Sequence, residues 1–350
     1  MTHVLVQATH THAGPVILDE YKSGTPKWET AALEKIGKAI AEARQQSVEA
    51  RIGTGEGATY IGYNRRRVNP DGSVTMLWQN PERVPTSPID PTVSVLRLDT
   101  ADGKPLAVLV NYACHPVVFG PDNLQYSTDF PGVMCRGVEL SFSEHPPMAF
   151  FLHGAPGDIN PYDATAPFGP ETIKKRDLAG EHLAQEAVRV AKSIKTQATP
   201  NPSLDFAEET LVFRLRWDAE KFRQGLLANY GQGFIDNFAP RITPQVKGIV
   251  STLLINKNIA FMTMPGEPFV DYQVDWRHRC PVSDAFFLGY TNGYDGYFPT
   301  IKAASEGGYG AAGATTWVEV GAGERIVDRA LLHVYEMLGR LTEVPDDLKE

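Results

Sequence analysis

Several things are scarce in these 350 residues. Cysteine occurs three times, at positions 114, 135 and 280. Those positions are far apart, with neither an even count nor Cys-x-x-Cys spacing, so they imply neither a disulfide framework nor a cysteine zinc site. No apolar run is long enough to span a bilayer. Positive charge is outnumbered, 33 Lys and Arg against 42 Asp and Glu, a net −9. An acidic chain with no basic cluster lacks the means to displace counterions from a phosphate backbone, so nucleic acid is excluded as the main partner. There are no internal repeats, no low-complexity tracts and no signal peptide. What remains is 42% hydrophobic and 21% charged, the composition of an ordinary soluble globular chain with a sizeable core.

The first dozen residues concentrate the interest. Val4-Leu5-Val6 is β-branched and apolar and reads as a buried strand. Ala8-Thr9-His10-Thr11-His12-Ala13-Gly14-Pro15 follows it. On an extended backbone, His10 and His12 leave on one face, a common start for a metal site. A pair of surface histidines is the alternative. A core-like strand this close to the first residue is expected to have lost an upstream segment, so the compartment stays open.

Further along, a helix is predicted over Trp28–Gln46, then a strand from Val48 to Ile52. The run Gly53-Thr54-Gly55-Glu56-Gly57 lacks the Lys-Ser/Thr of a phosphate loop and is assigned a turn. Arg65-Arg66-Arg67 reads as a solvated face for its last two members. Asp71-Gly72 joins two short hairpin strands, and Asp102-Gly103 joins strands Val93–Leu98 and Leu106–Tyr112. Helices are expected from about Ser127 to Ser141, over Glu171–Lys195, near Ala219–Leu227 and over Glu324–Leu341. A strand over Met148–Leu152 leads into the loop from His153 to Pro161. Later strands lie within Leu204–Trp217 and at Val246–Ile255, Ile259–Met264 and Phe286–Tyr290. The whole is predicted to be α/β, mixed β-sheets flanked by helices, in one domain over residues 1–350. Phe151, Trp276 and Phe298 are expected in the core.

Four glycine- or proline-bent segments follow apolar runs and carry candidate ligands: His10, His115, Glu267 and Tyr297. Histidine nitrogen with carboxylate oxygen suits catalytic zinc; calcium or magnesium would call for more carboxylates. Taken alone, His115 also fits a satisfied core histidine, Glu267 a helix-start carboxylate and Tyr297 a packed ring.

Taken in order, ATHTHAGP (8–15), NYACH (111–115), GDINP (157–161), Gly266-Glu267 after a strand, and GYDGYFPT (293–300) resemble the catalytic domain of the neutral/alkaline ceramidase family. The resemblance runs from residue 1 to about residue 320. It implies a zinc (Zn2+) site, one ion per chain, held by His10, His115, Glu267 and Tyr297, with Tyr294 and Tyr290 close by as alternatives for the tyrosine. His12 would lie beside the attacking water as proton shuttle or substrate contact. Arg65, matching an Asn-Arg pair as Asn64-Arg65, would face the scissile carbonyl. It also implies a hydrolase of amide (N-acyl) bonds on a small-molecule or lipid-like substrate. Three departures stand out. Asn160 replaces a family serine, Ser305-Glu306-Gly307 replaces Tyr-Glu-Gly with Tyr309 displaced downstream, and no C-terminal immunoglobulin-like domain is expected. Esters, lactones or sugar-derived substrates are the alternative for the same metal, and a non-catalytic ligand-binding relative is the alternative to an enzyme.

Overall fold

The computed structural model describes residues 3–15, 17, 24–239 and 242–341. In chain order the elements begin with α1 (Lys27–Gln45), β1 (Ala50–Ala58), β2 (Gly62–Asn64), β3 (Arg66–Val68), β4 (Val74–Met76), β5 (Thr92–Thr100) and β6 (Pro105–Tyr112). There follow α2 (Asp129–Leu140), β7 (Met148–His153), β8 (Ile159–Pro161), α3 (Pro170–Ser193), β9 (Leu204–Arg214) and α4 (Ala219–Phe238). The last third contains β10 (Gln245–Ile255), β11 (Ile259–Thr263), β12 (Glu267–Pro268), α5 (Val270–Arg279), β13 (Asp284–Leu288), β14 (Tyr297–Phe298), α6 (Ile301–Glu306) and α7 (Ala322–Met337).

Two four-stranded sheets carry the architecture, in the orders β1-β5-β6-β7 and β13-β11-β10-β9. Alternation along their strands assigns each face. Val93 and Val95, Val108 and Val110, and Phe151 pack with Phe130, Leu183 and Val190 of α2 and α3. The intervening Leu96, Leu98, Leu109 and Leu152 meet Leu253, Ile259, Phe261, Phe286 and Leu288 of the second sheet. That sheet's other face, Val250, Leu254, Met262 and Phe287, packs on Trp276, Ile326, Val327 and Val334 of α5 and α7. A period of two with both faces apolar is the signature of a sheet buried on both sides. The layers therefore run helices, sheet, sheet, helices, which is the expected mixed α/β class with sheets flanked by helices. Phe151, Trp276 and Phe298 are buried.

The sheets share a plan. Each ends in a parallel pair connected through a helix, β6-α2-β7 in one and β11-α5-β13 in the other. Such pairs gather their carboxyl ends on one side, where open α/β sheets place their sites. The Asn111 amide ties the two ends together, donating to Leu152 O and Phe287 O, each at 2.9 Å.

The structure corrects four expectations. Val4–Val6 is no buried strand: Val4 and Val6 are exposed, and pairing is limited to an isolated bridge between Gln7 and Thr291. The glycine run 53–57 is no turn but the body of β1, antiparallel to β5. A Cβ at Gly53 would stand 2.6 Å from Ile194 Cγ2, so glycine there lets α3 and its C-terminal residues lie directly against the strand. Arg66 is buried, not solvated, donating to Glu306 and to the carbonyls of Ala303 and Gly307, with its guanidinium over Phe269. The helix placed near Ala219–Leu227 runs on to Phe238, through a break at Gly231, where φ is 79°.

Candidate metal centre

The loops at the carboxyl ends of the parallel pairs supply most of the site. His115 comes three residues after β6, His153 closes β7, Glu267 follows β11, and Tyr290 follows β13. His10 and His12 arrive on the N-terminal arm. His10 has a φ of 58°, so the two imidazoles meet through a local bend and not through the extended geometry the spacing predicted. Their Nε2 atoms are 3.0 Å apart.

The buried Glu267 carboxylate is the focus. Its Oε2 is 3.0 Å from His115 Nε2 and 3.7 Å from His10 Nε2, and its Oε1 accepts a 2.5 Å bond from the Tyr294 hydroxyl. His115 Nδ1 is 3.1 Å from Ile159 O. A carbonyl only accepts, so the His115 proton belongs on Nδ1 and a bare Nε2 lone pair faces a carboxylate oxygen. Two acceptors in contact need a proton or a cation between them. Burial works against the proton, pushing His115 below its ordinary value and taking His10 down to about 4. Burial also resists ionisation of Glu267, but a proton or cation shared with His10 and His115, together with the bond donated by the Tyr294 hydroxyl, outweighs it and holds the carboxyl well below the usual range. Ligand nitrogens of His10, His12 and His115 lie within 4.8 Å of one another. Neutral imidazoles around an ionised carboxylate fit a divalent zinc ion by donor type and by convergence.

Beside this cluster sits a charged clamp. Arg65 Nη2 donates to Gly157 O at 2.7 Å and to the Tyr297 hydroxyl at 3.1 Å, and Nη1 donates to Asn160 Oδ1 at 3.2 Å. Burial opposes its charge, but Tyr297 and Glu267 outweigh that and raise its value. Two small ladders set the geometry. Antiparallel β2 and β8 pair Tyr63 with Asn160, and parallel β12 and β14 pair Glu267 with Tyr297. Gly157 permits the approach, since a Cβ there would stand 2.6 Å from Glu267 O. Tyr309, downstream of its expected position, packs 5.5 Å from the Tyr297 ring and 5.1 Å from the Arg65 guanidinium carbon.

The structure thus gathers His10, His12, His115 and Glu267 in one cluster, and Arg65, Asn160, Tyr297 and Tyr309 in the clamp next to it. Tyr297 addresses Arg65, whereas Tyr294 makes the short bond to Glu267. The role of His153 was missed, and Tyr290 and Tyr294 were noted only as neighbours of Tyr297. The two tyrosines differ from Tyr297 only by position within one aromatic loop. His153 had a signal, as the last residue of an apolar strand entering a glycine-rich loop. Among the described residues, no helix is long and apolar enough to cross a membrane.

No family model matches the sequence, and no curated protein matches it. Solved structures do. The neutral ceramidase from Pseudomonas aeruginosa aligns with a TM-score of 0.72 at 17% identity, over 98% of this chain and 62% of its own. A structure described as ceramidase complexed with C2 aligns with a TM-score of 0.73 at 17% identity, over 98% of this chain and 64% of its own. The chain has the fold of the neutral ceramidases and spans less than two thirds of their length.

Proposed function

We propose that this chain is a zinc-dependent hydrolase related to the neutral ceramidases and that it cleaves an amide (N-acyl) bond in a small or lipid-like substrate. The observation that carries the reading is the convergence of His115 Nε2 and His10 Nε2 on Glu267 Oε2, with a buried arginine clamp beside it.

His10, His115 and Glu267 would hold the ion, with Tyr297 as the fourth donor. When bound, zinc supplies the Lewis acidity that polarises a carbonyl and activates water near neutral pH. Tyr294 engages Glu267 Oε1 and so leaves Oε2 turned toward the imidazoles. His12 is near the cluster at its Nε2, yet it is exposed. It suits a group that takes a proton at the reacting centre and passes it to a leaving amine. Arg65 is held flat by Gly157, Asn160 and Tyr297. It places a fixed positive charge where an acyl oxygen becomes negative, without reorganisation during the reaction. Asn160 has no hydroxyl, so it positions Arg65 through its Oδ1 and performs no serine chemistry.

Metal analysis of the purified protein with and without chelator, alongside hydrolysis of a fluorogenic N-acyl substrate and its O-acyl counterpart, tests the reading. About one zinc per chain with chelator-sensitive N-acyl cleavage supports it. Zinc with O-acyl cleavage alone moves the assignment to esters, and a metal-free protein overturns it.

A further inference from the structure

The N-terminal arm carries His10 and His12 into the site with little regular β pairing. Among its described residues that pairing is an isolated bridge from Gln7 to Thr291, beside which Val6 bonds through its N–H and carbonyl to Asn292. Val4 and Val6 project into solvent. The arm is otherwise fastened by polar contacts, to the ends of β7 and β13 before His10 and to Pro116 and Ser127 after it. Gln7 Nε2 donates to His153 O and Gly289 O, both at 2.9 Å, and His153 N donates back to Gln7 Oε1 at 3.2 Å. Ala8 N donates to Tyr290 O at 3.1 Å. His153 Nδ1 then reaches the carbonyl of Thr9 at 3.0 Å.

That last bond falls one residue before His10, whose φ of 58° is in the left-handed region that non-glycine side chains disfavour. A bend of this kind persists only where its surroundings fix it. The Thr9 carbonyl and the His10 nitrogen share one peptide plane, so fixing the carbonyl fixes the direction in which His10 departs. The carbonyl also dictates the tautomer, with the proton on His153 Nδ1 and none on Nε2. His153 Nε2 is buried with no hydrogen-bond partner. Burying that nitrogen is unfavourable, whereas an apolar ring would fill the same space against Phe151 and Tyr290. What the imidazole adds is the bond to Thr9.

We propose that His153 is a positioning residue for the metal centre. It locks the Thr9–His10 peptide and thereby aims His10 Nε2 at Glu267, so that the site is assembled by docking of the arm. The inference rests on the zinc reading above, and the experiment separates the two. His153→Phe keeps a ring and removes the donor; His153→Asn places an amide N–H close to where Nδ1 stands. Two readouts are taken on the full chain. The first is amide hydrogen exchange of the segment from Val4 to His12 in metal-free protein, which requires no metal site. The second is affinity for zinc, by chelator competition, together with the visible spectrum of the cobalt(II) form.

The expected result is that His153→Phe loses exchange protection in the arm while the two sheets keep theirs. Zinc affinity should fall about 10–100-fold, the range for removing a group that orients a ligand, with an altered cobalt spectrum, and His153→Asn should recover both readouts. Unchanged arm protection in His153→Phe overturns the inference, as does an equal loss in both variants. If the wild-type protein binds no zinc, the functional reading falls, and the exchange data still decide whether His153 docks the arm.

Discussion

Arg65 shows how much a single side chain can be constrained. Its two terminal nitrogens make three bonds to two segments of chain, the loop of Gly157 and Asn160 at 2.7 and 3.2 Å and Tyr297 at 3.1 Å. A lysine has one nitrogen and no planar fork, so Arg65→Lys keeps the charge and loses the aim. With the hydrolase reading, Arg65→Ala should lower kcat about 10²–10³-fold, the usual loss for one oxyanion donor, with KM much less affected. Arg65→Lys should recover little of it. Steady-state kinetics on an N-acyl substrate check both, and a full recovery by lysine would reduce Arg65 to a diffuse positive charge. A second buried group has a pH signature. Asp129 is pushed up to about 6 by burial, only partly relieved by the backbone N–H groups of Phe130 and Phe119. A carboxyl whose value is higher folded than unfolded binds more protons in the folded state, so stability is gained as pH falls through about 6 toward the unfolded value near 4. Relative to Asp129→Asn, which cannot titrate, the wild type should gain about 2 kcal/mol between pH 7 and pH 4. Urea denaturation of the pair at several pH values reads that difference directly, and a flat difference would mean that Asp129 stays ionised.

At the scale of elements, what the sequence reveals depends on whether a segment's own chemistry or its neighbour decides the conformation. The hairpin turns at Asp71-Gly72 and Asp102-Gly103, the long helix α3 and the β10–β11 hairpin were legible because turn residues and periodicity are local signals. The glycines of β1 were not, because they exist for α3, more than a hundred residues away, and a lone strand rich in glycine looks like a loop. Val4–Val6 failed in the opposite sense. Three apolar β-formers suit a strand, but Asn292 takes their backbone, its side chain accepting from Val6 N and its own N–H donating to Val6 O. The same limit applies to the candidate site. The His-x-His pair and the glycine- and proline-dense loop that ends in Gly-Asp-Ile-Asn-Pro stand out by composition, whereas Glu267 joins them only through the family resemblance. The choice among Tyr290, Tyr294 and Tyr297 turns on the parallel β12–β14 ladder, for which two residues per strand leave no pattern. One test follows from the packing of β1. In Gly53→Val the new side chain would collide with Ile194 and with the Lys195 carbonyl, 3.2 Å from the first added carbon. The variant should lose about 1–3 kcal/mol, the cost of overpacking, in chemical denaturation. Metal content per folded molecule should stay the same, because the collision lies on the helix side of the first sheet.

For the molecule as a whole, the decisive fact is where the candidate ligands come from. His115 belongs to the first sheet's loops, Glu267 to the second's, and His10 to an arm lying across the ends of both. The sheets already adhere through the apolar layer between them, and the Asn111 amide bridges their edges. The arm is anchored more thinly, with Val4 and Val6 exposed and His3 stacked on Phe206. An ion shared by His10, His115 and Glu267 would join all three parts at one point. Binding only to the folded arrangement, it would add stability as RT ln(1 + [zinc]/Kd), about 4 kcal/mol at a thousandfold excess over Kd. Stripping zinc with a chelator should therefore lower the melting temperature, and adding it back should restore it. Each single replacement, His10→Ala, His115→Ala or Glu267→Gln, should abolish the zinc-dependent shift. Arg65→Ala should leave that shift nearly intact, since the guanidinium adjoins the donors without being one. Calorimetry on these five proteins, each with and without zinc, distinguishes a shared ion from a surface one. Were the shift to survive in Glu267→Gln, the ion would be held by histidines of the arm and first sheet alone, and the two sheets would not be joined through it.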